Sequence, residues 1–249
     1  MYANHGFRVT DYLSFYAPRF SMYNEAITTK IRSLGDAVPL RARNICGFVD
    51  AMQLPVARPK DVGNAVNTQR VLYNGKDKVH ALKFQGTSSP DGMLMHLFGP
   101  DVGRRHDLQI FNKSRINSQM RLLQAGNLDQ YILYSDKAYQ NKSHSIAAHL
   151  GANLNQNMRR ENAILKYQRV GVEWVFGTIT AHHKFLDWTR QLQIQKSPIG
   201  MYYILCALLT NCRTCLHRGN GTCAVYWDVP PPTFMEYLQL PHDYEPAVA

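Results

Sequence analysis

Two short runs decide how this chain is read: Ile45-Cys46-Gly47-Phe48-Val49-Asp50 and Tyr131-Ile132-Leu133-Tyr134-Ser135-Asp136. Each is a few apolar residues long, bounded by polar sequence, and closed by an aspartate. A short, uninterrupted apolar run is the pattern of a strand covered on both faces, where period-two alternation is lost. In a sheet sandwiched by helices, strand ends open into a shared crevice. If these two strands are neighbours, Asp50 and Asp136 meet there. Two carboxylates at close range repel unless a cation lies between them, and hard oxygen ligands suit Mg²⁺ or Mn²⁺.

Around the two runs, helical and strand periodicities alternate. Residues 23–34 carry Ala26, Ile27, Ile31 and Leu34 on one side of a predicted helix. Residues 60–75 are polar and loop-like. Two strands are predicted over 80–86 and 93–98, joined by Thr87-Ser88-Ser89-Pro90-Asp91-Gly92, a run of turn formers that predicts a hairpin. A helix is predicted over 105–123, then the strand before Asp136, then a polar stretch over 140–160 with a short helix. The longest helix is predicted over 161–185, with Val172, Val175, Phe176 and Ile179 repeating on one buried face. A further apolar helix covers 197–211. The expected fold is α/β, with a mixed central sheet flanked by helices. The expected divisions are an N-terminal helical segment over 1–44, read as a truncated DNA-binding region, a catalytic unit over 45–228, and a Pro- and aromatic-rich tail over 229–249.

Glu173 is the candidate third carboxylate. It sits mid-helix between Val172 and Trp174, in a setting that reads as packed, where an unpaired charge is costly. A second reading stays open, because Arg169 lies four residues earlier and can pair with it on the helix surface.

The chain has 28 Lys and Arg against 18 Asp and Glu, a net charge of +10, which favours a polyanionic partner. Arg104, Arg105, Arg159, Arg160, Lys166 and Arg169 cluster near the segments above and are the candidate phosphate contacts. The apolar run over 199–210 contains Gly200 and is too short to span a bilayer. The first residues carry His5, Arg8 and Asp11 and show no signal-peptide core. Five cysteines without such a signal point to reduced thiols inside a cell. Cys212-x2-Cys215, near His217 and Cys223, is a single ligand knuckle, so zinc competes with plain burial of the thiols.

Several motifs, in order, resemble the DDE superfamily endonucleases of the PIF/Harbinger transposase group. They are Gly47-Phe48-Val49-Asp50; Tyr73-Asn74-Gly75-Lys76 with His80-Ala81-Leu82-Lys83-Phe84-Gln85; Pro90-Asp91-Gly92 with Leu97-Phe98-Gly99-Pro100; and Gly103-Arg104-Arg105-His106-Asp107. Tyr134-Ser135-Asp136-Lys137-Ala138-Tyr139 and Arg169-Val170-Gly171-Val172-Glu173-Trp174-Val175-Phe176-Gly177 follow, then Asn211-Cys212-Arg213-Thr214-Cys215 and Pro230-Pro231-Pro232-Thr233-Phe234. The resemblance implies an RNase H-like fold and a nuclease that nicks or transfers DNA strands with Mg²⁺ or Mn²⁺. It implies Asp50, Asp136 and Glu173 as both catalytic and metal-holding residues, with Asp107 accessory. Asp107 is placed second to Asp136 because it opens a helix, where a carboxylate suits the free amides and the dipole. The resemblance further implies a nuclear protein acting on DNA, with a Myb-like DNA-binding partner and a homo-oligomeric state as possibilities. Members of the group follow the first aspartate with Gly-Thr, and here Ala51-Met52 stand in its place. The rival expectation is therefore a decayed or domesticated copy that binds DNA or protein without cutting.

Overall fold

A computed structural model describes residues 17–60, 68–126, 130–139, 141–187, 189, 191–194, 196–221 and 223–238. The predicted N-terminal segment over 1–44 falls in part outside these residues. So do part of the loop over 60–75 and the end of the tail.

The run at Ile45 opens β1 (Ile45–Pro55), the strand around which the sheet is built. Ile45, Cys46, Phe48 and Val49 are fully buried because helices cover this part of the sheet. Beyond Val49 the strand is only half-buried, and it pairs antiparallel with β3 (Val79–Ser88). β3 turns back into β4 (Leu94–Val102), and the two-residue β2 (Tyr73–Asn74) adds to its start. On its other side β1 pairs in parallel with β5 (Ile132–Ser135), which pairs in parallel with β6 (Ser145–Ala147). Four antiparallel strands thus continue into two parallel ones, a mixed sheet in the RNase H-like arrangement.

Alternation along β3 assigns the two faces. A Cβ on Gly86 would overlap Phe176 of α5 (Gln156–His182), so α5 lies against the Gly86 face. The next residue back, Gln85, donates to Ser114 Oγ at 3.0 Å and so points to the opposite face. That face is covered by α3 (Asp107–Lys113) and α4 (Ile116–Leu123), through the buried Phe111, Ile116 and Met120. Helix α1 (Phe20–Ser33) lies beside α5, with Asp36 just after it bonded to Arg160 at 3.0 Å. The short helix α2 (Thr68–Leu72) precedes β2. Helix α6 (Ile199–Leu216) packs on α5 and β4, and α7 (Cys223–Trp227) and α8 (Phe234–Leu238) close the described chain.

Four expectations need correction. β1 does not stop at Asp50; it continues to Pro55 because its antiparallel edge keeps pairing with β3 after the parallel pairing to β5 has ended at Val49 and Ser135. The helix predicted over 105–123 is two helices, broken at Ser114 and Arg115, where Arg115 takes a left-handed φ of 53°. The stretch predicted as loop over 140–160 contains β6. The Pro- and aromatic-rich tail, given no regular structure above, carries α8.

Candidate active site

Asp50 and Gly86 are paired opposite each other, so the Asp50 side chain rises on the face that α5 covers. Having no side chain, Gly86 lets Phe176 descend onto the sheet there. Gly171, where a Cβ would overlap the Trp227 ring, lets α7 close on the other side of α5. The indole of Trp227 donates to Gln168 at 3.2 Å and stacks 5.9 Å from Phe48. The rotation of α5 is therefore fixed by Gln168, Val172, Val175, Phe176 and Ile179, all buried. Arg169 and Glu173, one turn apart, fall at the edge of this stripe, beside Asp50.

Arg169 joins the acids. Its Nη1 bonds Asp50 Oδ2, and its Nη2 lies 3.2 Å from Glu173 Oε1. Burial opposes the charge of this guanidinium, but Asp50, Asp136 and Glu173 together hold its pKa above the ordinary arginine range. Asp136 follows β5, next to the end of the Val49–Ser135 pairing, which places it beside Asp50. Burial pushes the Asp50 carboxyl above its usual range; Arg169 and the Ala51 amide (2.9 Å) pull it back, and Glu173 adds to the rise. Asp50 and Glu173 thus bond one cation, and Asp136, whose Oδ1 accepts from the Lys137 amide at 2.6 Å, lies close enough to feel its charge. Glu173 is more open than its neighbours in sequence imply: its side chain is 53% exposed, at the rim rather than in the core.

Asp107 approaches from the other face of the sheet. It lies in the first turn of α3, as expected of a residue that opens a helix, but its carboxylate is held by Lys83 at 2.5 Å. Nearby Asp101 accepts from Arg105 at 2.6 Å and Lys113 at 2.9 Å. Burial disfavours the Asp101 charge, yet the bonds from Lys113, the Val102 amide and Arg105 win and hold its pKa below the ordinary range. Between the two groups stands Tyr139, only 2% exposed, its hydroxyl without a hydrogen-bond partner among the described residues. Burial raises its pKa well above that of free tyrosine, and Asp107, Asp50 and Asp136 add to the rise. Sequence reasoning gave Tyr139 no role, although it closes the motif begun by Tyr134.

Of the candidate phosphate contacts, Arg169 faces the acids, Arg105 is held by Asp101 and Arg160 by Asp36. Arg159 donates to the Leu154 carbonyl at 3.0 Å, while Arg104 and Lys166 are exposed. Arg104 and Arg105 line a cleft with Val102, His106 and Gln109. Among the described residues, no three His, Cys, Asp or Glu side chains are gathered tightly enough to hold a metal as they stand. That statement covers Cys212, Cys215, His217 and Cys223, and the three cysteines form no disulfide.

The chain is thus a mixed α/β protein in the RNase H-like arrangement, with a half-buried aspartate on its central strand facing further acids. Residues 49–211 match the family model described as DDE superfamily endonuclease, and the chain belongs to that family. Comparison with curated proteins and with solved structures gave no match.

Proposed function

We propose that the chain is a divalent-metal-dependent DNA endonuclease or transposase catalytic domain that uses Asp50, Asp136 and Glu173, and that it belongs to the PIF/Harbinger group. The observation that supports this most is the guanidinium of Arg169, which bonds Asp50 on β1 and Glu173 on α5 and feels the charge of Asp136 after β5. If all three are ionised, two negative charges are left over, and like charges in a partly buried setting repel. Oxygen donors with surplus negative charge suit Mg²⁺ or Mn²⁺. A divalent ion bound there would offset charge on the scissile phosphate and activate the attacking hydroxyl. Asp50 and Asp136 would hold it from the sheet and Glu173 from the rim, with Arg169 released toward a phosphate oxygen. Asp107 stays accessory. Arg104, Arg105, Arg159, Arg160 and Lys166 would track the DNA backbone. A nuclear location, a Myb-like DNA-binding partner and a homo-oligomeric assembly accompany this reading.

Two observations favour a second reading, a copy that binds DNA without cutting: Arg169 already bonds Asp50 and Glu173, and Ala51-Met52 stand where the group has Gly-Thr after Asp50. Supercoiled plasmid incubated with the full chain and Mn²⁺ separates the two. The first reading expects nicked circles with wild type, and none with Asp50→Asn or with EDTA. Wild type that shifts DNA in a gel but leaves the plasmid supercoiled would establish the second.

A further inference from the structure

Helix α6 buries one side against α5 and β4, through Tyr203, Ile204, Ala207 and Leu208 among others. A helix at a protein surface normally turns polar residues outward. α6 does not. Its outward positions carry Met201 (57% exposed), Leu205 (46%) and Leu209 (47%) at successive turns, and Leu216 (62%) two turns further along the same side. Tyr202 widens the stripe and packs edge-on against Phe185, ring centroids 6.2 Å apart. α5 behaves differently: Arg159, Arg160 and Lys166 face outward there. Single exposed apolar residues are ordinary, but a continuous stripe the length of a helix marks an interaction surface.

The helix is long and apolar enough by composition to cross a membrane, and 61% of it is buried inside the protein. A membrane-spanning role would require tearing it from the core. The rim of the stripe selects among the remaining occupants. α6 contains no Asp or Glu, while Arg213, His217 and Arg218 are exposed along its end. Neither Arg213 nor Arg218 makes an ion pair among the described residues. His182, at the end of α5, sits close enough to Arg213 and His217 to feel their charge. Asp187 faces Lys184 at 3.8 Å, and Glu236 accepts from the Thr233 amide at 2.7 Å while feeling the charge of Arg218. A second copy of this chain would bring the same cationic rim, and a net charge of +10, to both sides of the interface.

We propose that the outer face of α6 is a docking surface for an acidic amphipathic helix of a partner protein. Leu205 and Leu209 form its centre and Arg213 its charged edge. An apolar helix face laid along the stripe buries the exposed side chains, and flanking carboxylates meet the cationic rim. The surface stands apart from the acids around Arg169 and does not depend on their role.

The probe is a fluorescein-labelled peptide of about five helical turns, with leucines along one face and glutamates on both flanks. A second peptide carries lysines in place of the glutamates. Saturable binding of the acidic peptide to the full chain is expected, weakening with salt. Leu205→Glu/Leu209→Glu should weaken it by at least about ten-fold, with an unchanged circular-dichroism melt. Because a surface change can still disturb folding, Arg213→Glu provides the second arm: it should weaken the acidic peptide and favour the lysine one. Equal binding of both peptides by wild type, or no binding, overturns the proposal. So does light scattering that shows a dimer converted to monomer by Leu209→Glu, or binding of phosphatidylserine vesicles in preference to the peptide.

Discussion

Two groups of acids lie on opposite faces of the same sheet, and their charges are balanced in opposite ways. On the α5 face, Asp50 and Glu173 bond Arg169 and Asp136 feels its charge, and no other ion pair reaches these three carboxylates among the described residues. On the α3 face, Asp101 and Asp107 meet Lys83, Arg105 and Lys113, so cations outnumber carboxylates. The carboxyl shifts follow: burial leaves Asp50 raised, whereas Asp101 is lowered. A carboxylate with its own cation is structural and has nothing to gain from a metal. A surplus of carboxylate is a cost to the folded protein that a divalent ion would remove. The difference argues for Asp136 over Asp107 as the second acid on grounds of charge, independently of position in the chain.

The largest effect that can break this comparison is on cutting. If the surplus acids hold the ion, Asp136→Asn should lower plasmid nicking by roughly a thousand-fold, the equivalent of about 4 kcal/mol of lost transition-state stabilisation. Asp107→Asn should retain most of the activity. The reverse ranking, with Asp107→Asn silent and Asp136→Asn active, would move the site to the other face of the sheet.

Stability should rank the same residues in the opposite order. Asp101 is buried and bonded to two cations, which are themselves partly solvated. Asp101→Asn should therefore cost about 1–3 kcal/mol in urea unfolding, while Asp136→Asn in EDTA should cost little or nothing. The pH dependence checks the cause. Because the folded pKa of Asp101 is depressed, its contribution is present above the unfolded value of about 3.9. It is lost as pH falls through the lower folded value. The gap between wild type and Asp101→Asn should thus be full near neutrality and close in acid. A gap independent of pH would mean that Asp101 acts through packing rather than charge.

How much of this was legible in the sequence depends on how local the cause was. The two apolar runs place β1 and β5 correctly, because burial on both faces writes itself into consecutive residues. The end of β1 was misread at Asp50, since a polar residue ends an apolar run without ending a strand whose other edge is still paired. The break between α3 and α4 was hidden because Leu108, Phe111, Ile116 and Leu122 keep an apolar spacing across a left-handed Arg115. Asp91 and Asn211, each inside a motif, turn out to be buried structural groups. Asp91 accepts from Tyr23 at 2.8 Å and faces Arg19 at 3.4 Å, and Asn211 bonds both backbone groups of Leu94 at 2.9 Å. Neither partner is near in sequence, so no spacing rule reveals them. The pairing of Arg169 with Glu173 is local and was visible as one alternative. Its bond to Asp50 spans 119 positions and was not.

The smallest effect sharpens the comparison most, because it measures the surplus charge without requiring turnover. A divalent ion at ten times its dissociation constant should stabilise the fold by about 1.4 kcal/mol, read as a shift in urea midpoint between Mn²⁺ and EDTA. Asp107→Asn should leave that increment unchanged, and Asp136→Asn should remove most of it. Arg169→Gln makes the decisive case. Without metal it should lower stability, since Asp50 then stays buried with no cation. The increment from Mn²⁺ should nevertheless grow, because the ion no longer competes with a guanidinium for the same oxygens. If Arg169→Gln instead abolishes the increment, Arg169 is part of what organises the acids for the ion rather than its competitor. The surplus of carboxylate on the α5 face would then need the arginine in place to be of any use.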